Sequence, residues 1–97
     1  MAGEIYKVWL IRPTEAYYAL PPNERLAVAE RARTALQEVG GEYLLICDSS
    51  WCSEAWPSWG VERFPDMAAV QAHARRLASV DALRYFHTMT LLGTASA

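Results

Sequence analysis

Apolar and polar positions alternate with a two-residue period in several short stretches of this chain, and recur at helical spacing in two longer ones. Glu4-Ile5-Tyr6-Lys7-Val8-Trp9-Leu10-Ile11 reads as a first strand, rich in β-branched and aromatic residues, with Pro13 ending it. Thr14 is an N-cap candidate for a single helical turn through Leu20, and Pro21-Pro22 stops that turn. From Asn23 the apolar positions Val28, Ala32, Ala35, Leu36 and Val39 predict a helix, closed by Gly40-Gly41. Tyr43-Leu44-Leu45-Ile46 is short and β-prone, and Trp59-Gly60-Val61-Glu62-Arg63-Phe64 alternates. Between them the run from Cys47 to Ser58 predicts a hairpin loop that carries Trp51 and Trp56. A Pro and a Gly near the start of the second hairpin strand point to a bulge or an edge there. Asp66 caps a second helix whose stripe is Met67, Val70, Ala74 and Leu77, and Phe86-His87-Thr88-Met89-Thr90-Leu91-Leu92 is the last strand.

The order β-α-β-β-α-β predicts an α+β, ferredoxin-like split sheet, with both helices on one face and one domain over residues 1–97. Right-handed crossovers set the strand order at 4-1-3-2. Alternation then divides the strands into two sets. The set Tyr6, Val8, Leu10, Leu44, Ile46, Trp59, Val61, Arg63, His87, Met89 and Leu91 is nearly all aliphatic in its middle, and is expected beneath the helices. The other set includes Ile5, Lys7, Trp9, Ile11, Tyr43, Leu45, Glu62, Phe64, Thr88 and Thr90, and is expected on the open face. An uncovered face that apolar predicts a homodimer through the open sheet, with Ile5, Trp9, Ile11, Trp56 and Phe64 at its interface. Lys7 and Glu62 fall on one face of neighbouring strands, where a cross-strand ion pair is the simplest account.

Composition narrows the function. A hydrophobic fraction of 53% in 97 residues fits a folded domain, and a net charge of −2 with scattered cations argues against nucleic acid. No apolar run reaches the length of a membrane span, and Met1-Ala2-Gly3-Glu4 runs into a strand without a secretory leader. The expectation is a cytoplasmic protein without membrane partners, with Cys47 and Cys52 as free thiols. Two cysteines and two distant histidines do not make a metal site, and no nucleotide or phosphate fingerprint is present, so neither metal nor cofactor is expected.

Leu10-Ile11-Arg12-Pro13-Thr14-Glu15-Ala16-Tyr17-Tyr18-Ala19-Leu20, then Asn23-Glu24-Arg25, Asp48, and Arg84-Tyr85-Phe86 resemble the darcynin family of the dimeric α+β barrel superfamily. The Trp/Cys-rich loop from Trp51 to Trp59 departs from that pattern. Wider relatives in the superfamily include cofactor-independent monooxygenases, polyketide-type cyclases, muconolactone isomerase-like enzymes and haem-degrading enzymes. The resemblance implies a flat aromatic or polyketide-like ligand held within each monomer, between sheet and helices. Some of those cyclases place a histidine near the start of the last strand, which puts His87 first as a general base, with Tyr85 as proton donor or carbonyl orienter. Tyr6, Trp59, Arg63 and His73 are the expected pocket lining. The competing reading is a non-catalytic interaction module that presents its Trp-rich loop to a protein partner. A cavity of about 300 Å³ reached past His87 would favour the first reading, and a filled interior with an exposed Trp51 the second.

Overall fold

The computed structural model describes residues 3–96. Strand β1 (Ile5–Pro13) runs into a four-residue helix α1 (Glu15–Tyr18) and the long helix α2 (Pro22–Glu38). Strands β2 (Glu42–Asp48) and β3 (Ser58–Phe64) form the hairpin, followed by α3 (Met67–Ser79), a 3₁₀ turn at Ala82–Arg84, and β4 (Phe86–Gly93). The four strands form one antiparallel sheet in the order β2-β3-β1-β4, the expected split arrangement. Among the described residues no helix is long and apolar enough to cross a membrane.

Local chemistry fixes the ends of these elements. Thr14 Oγ1 accepts from the Tyr17 amide and donates to the Arg84 carbonyl, so one side chain caps α1 and ties it to the 3₁₀ turn. Asp66 accepts from the Ala69 amide at 2.8 Å and starts α3. Gly40 takes φ +79 just past α2, a left-handed value that glycine adopts without strain. The hairpin loop is held internally: buried Ser49 donates to the Trp56 carbonyl, its amide donates to Pro57, and Asp48 accepts twice from Ser50. Arg12 reaches from β1 to the Ala55 carbonyl and lies over the Trp56 ring, clamping the loop to the sheet.

The two faces of the sheet are the reverse of the expectation. Phe64 is fully enclosed with Leu36, Ala69 and Val70 from the two long helices, and Ile5 packs against that cluster. Trp9 and Ile11 also lie beneath the helices, and Trp56 belongs to the loop, so none of the five expected interface residues forms the open face. That face carries Tyr6, Val8, Leu10, Trp59, Val61, Arg63, His87, Met89 and Leu91. The reason is electrostatic. The aliphatic middle of the other set pointed that set inward, yet Lys7 and Glu62 pair with each other inside the protein, which lets their own set face the helices. The hairpin irregularity also falls elsewhere, in β2 between Tyr43 and Leu45 rather than at the start of β3. This bulge pairs Tyr43 with Glu62 but Ile46 with Gly60, so both lie under the helices while Leu45 turns to the open side.

Candidate functional site

The layer between sheet and helices is filled at one end and hollow at the other. Leu36 and Phe64 close the filled end. Beside them a cleft of about 290 Å³ runs between α2, α3, the 3₁₀ turn and the sheet. Its walls are mainly apolar and aromatic: Trp9, Ile11, Tyr43, Leu77 and Phe86, with Ala32 from α2. Trp9 and Tyr43 meet edge to face, with ring centroids 6.5 Å apart. Trp9 can lie flat on the strand because position 60 is glycine. A Cβ there would stand 2.5 Å from Trp9 Cζ2 and 2.6 Å from the Leu45 carbonyl oxygen. Ala29, Arg33, Leu83, Thr88 and Thr90 line the cleft and are exposed, so they mark its mouth.

The closed end carries three ionisable side chains from three elements. Lys7 of β1 and Glu62 of β3 are directly paired across the sheet, with Nζ 3.3 Å from Oε1. Lys7 Nζ also lies 3.2 Å from Nδ1 of His73 on α3. An ammonium only donates, so Nδ1 must accept and the imidazole proton resides on Nε2. All three side chains are buried. Burial, and then the Lys7 charge, pull the His73 pKa down to about 4, so this imidazole is neutral near pH 7. Burial pushes the Glu62 carboxyl above its ordinary value while the Lys7 ammonium pulls it back. Tyr43 is raised by burial and by the Glu62 charge, against the opposing pull of Arg33. Glu62 Oε1 is enclosed and has no well-aligned donor, and the enclosed Trp9 indole N–H has no acceptor.

Of the six expected site residues, His73 alone lines this cleft. Tyr6 and Trp59 lie on the open face, and Arg63 there is held by Glu4 and Glu42. His87 is exposed on the same face, opposite Arg12 of β1. Tyr85 lies half-buried beyond the 3₁₀ turn, with the Arg84 guanidinium over its ring. Lys7, Glu62, Trp9 and Tyr43 are the residues that sequence reasoning missed. The signal was present: a Lys and a Glu predicted opposite each other on a face that also carried Trp9 and Phe64.

The neutral His73 gives a pH prediction. Its folded pKa is about 4 against an ordinary 6.5, so the unfolded chain binds more protons between those values. Stability present above pH 6.5 should therefore be lost as pH falls toward 4, by roughly 3 kcal/mol. Glu62, shifted upward, acts with the opposite sign over the window above its ordinary value, and partly offsets the loss. Urea unfolding as a function of pH should show this slope, and His73→Leu should flatten it.

No family model matches the chain, and no curated protein matches it. Solved structures share its fold. A chlorite dismutase variant from Candidatus Nitrospira defluvii superposes with a TM-score of 0.78 at 19% identity, covering 100% of this chain and 42% of that one. A second variant of that enzyme gives 0.75 at 11% identity, over 100% and 42% of the two chains. The present chain thus spans about two-fifths of the chlorite dismutase chains it resembles. SnoaB, a cofactor-independent oxygenase from Streptomyces nogalater, matches over nearly the whole of both chains, 99% and 96%, with a TM-score of 0.63 and 17% identity. At these identities the likeness is one of fold: the chain has the ferredoxin-like α+β architecture of these proteins.

Proposed function

We propose that this protein holds a flat aromatic or polyketide-like small molecule between sheet and helices, as a binding protein or a cofactor-independent enzyme of the cyclase, isomerase or monooxygenase type. The observation that carries the reading is the cleft itself, with aromatic walls, an open mouth, and a buried Lys7–Glu62–His73 cluster at its closed end. Its volume of about 290 Å³ lies at the small end of ligand pockets, which suits a one- or two-ring molecule. The fold shared with a cofactor-independent oxygenase supports the same assignment. Access past His87 is not part of it, since the mouth lies beside α2 and the 3₁₀ turn. Titration with naphthol and β-tetralone should change tryptophan emission saturably, and Trp9→Phe should remove most of the change. Probes that alter neither emission nor melting temperature would overturn the reading.

The open face is assigned to a second copy of the chain. Met89 and Leu91 are 48% and 66% exposed there, beside Val8, Leu10 and Val61, and no helix covers them. Sedimentation at micromolar concentration should show a homodimer, and Leu91→Asp should weaken it at least tenfold. A wild-type monomer would refute this. A second reading rests on Trp51, which is 83% exposed on a loop tied by internal hydrogen bonds. As an interaction module, the protein would lose its partner in Trp51→Ala and keep any ligand-induced shift.

A further inference from the structure

We propose that the closed end of the cleft is a proton-transfer site. There the Glu62 carboxylate takes a proton from the carbon next to the carbonyl of a flat ketone, and the Lys7 ammonium holds the enolate oxygen that forms. The inference rests on the reading of the cleft as a ligand site, and names its substrate class and the two groups that would act. Lys7 Nζ has three protons. One is committed to His73 Nδ1 at 3.2 Å, and the ammonium stands 3.3 Å from Glu62 Oε1. A carbonyl oxygen can accept a remaining proton. Because base and oxyanion donor are neighbours, the adjacent carbon of the same ketone then falls within reach of the carboxylate. Glu62 Oε1 has no well-aligned donor, so its lone pairs are not consumed by the protein.

The step balances without an oxidant or co-reactant. The C–H bond breaks, its electron pair forms the enolate C=C, the carbonyl pair moves to oxygen, and the proton resides on Glu62. Return of the proton to the same carbon gives exchange, and return to a vinylogous carbon shifts a double bond. The charged and titratable groups around Glu62 are Lys7 on β1, Tyr43 on β2 and His73 on α3, with Arg33 on α2 acting on Tyr43. Burial of the carboxyl strengthens it as a base, and His73 is neutral, so it accepts from Lys7 without adding a competing charge.

The test is deuterium incorporation at the acidic carbon of β-tetralone in heavy water, read by mass spectrometry, with binding followed in parallel by tryptophan emission. Wild type should exceed buffer at matched pD by about a hundredfold or more. Glu62→Gln should return exchange to the buffer rate while the probe still binds. If that variant does not fold, Lys7→Met with Glu62→Gln removes both charges together, and the same loss is expected. Bound probe with exchange at the buffer rate in wild type, or with exchange undiminished in the folded variant, overturns the proton-transfer role and leaves the ligand site standing. A probe that does not bind overturns the cleft reading itself, and this inference with it.

Discussion

Lys7→Met should destabilise the protein by about 3–5 kcal/mol, the usual cost of removing one partner from a buried ion pair. Lys7 and Glu62 have side chains only 11% and 6% exposed, so the carboxylate left behind cannot recover its hydration. The loss should also depend on pH. Glu62 already has a raised pKa, and without the ammonium it rises further. A folded-state carboxyl that prefers its proton contributes stability at low pH and withdraws it as pH rises. The variant should therefore be worst above neutrality and recover part of the loss toward pH 5. Lys7→Met combined with Glu62→Leu removes both charges, and should restore most of the stability because no unpaired ion remains. Urea denaturation of the two single variants and the double variant gives the coupling directly. Single and double losses that simply add would show that the pair is not coupled.

Phe64→Ala should cost about 3–5 kcal/mol, through lost transfer free energy and the cavity left behind. Phe64 is fully enclosed between Leu36 of α2 and Ala69 and Val70 of α3, and its ring is 5.3 Å from that of His73. The neighbours that would have to collapse into the space include two small residues on helix backbone and a leucine already in contact, so relaxation is limited. Because the new void would adjoin the cleft, the variant should also bind larger flat probes than wild type does. Denaturation midpoints and a size series of ring compounds check both effects. An unchanged midpoint would mean that the filled end of the layer does not hold the helices on the sheet.

The element order and strand order could be read from the chain because period-two and period-3.6 patterns are local, and because crossover handedness leaves one sheet order. Thr14, Asp66 and Gly40 marked element ends by side-chain or backbone chemistry that operates within a few residues. Which face turns inward is a different kind of question. Alternation yields two sets but not their direction, and the aliphatic middle of the Tyr6, Val8 and Leu10 set pointed it inward, while the set that holds Lys7 and Glu62 in fact lies there. Their burial depends on each other and on His73, which comes from the far end of the chain, so it is a tertiary fact. The bulge between Tyr43 and Leu45 moved a further strand out of phase. Choosing Tyr6, Trp59, Arg63 and His87 as pocket residues followed from that single inversion. His73 escaped it because it lies on a helix beside Val70, although the buried face of that helix is Ala69, Val70 and His73, and Met67 and Ala74 of the expected stripe are exposed.

The close fit of Trp9 over Gly60 also constrains how this sequence can change. No atom can be added at position 60 while the indole stays in place, because a methyl would meet both the ring and the Leu45 carbonyl. Position 60 is thus closed twice over, and shortening residue 9 removes the ring contact while the Leu45 carbonyl oxygen still excludes a side chain. In related chains that keep this strand pairing, glycine should therefore persist at the position of Gly60 even where a shorter side chain replaces Trp9. Where both are retained, the depth of the cleft is retained as well, and with it the size of molecule that can be admitted. Substrate range in such a lineage would then be set by the side chain at the position of Trp9, with the ionisable cluster left untouched.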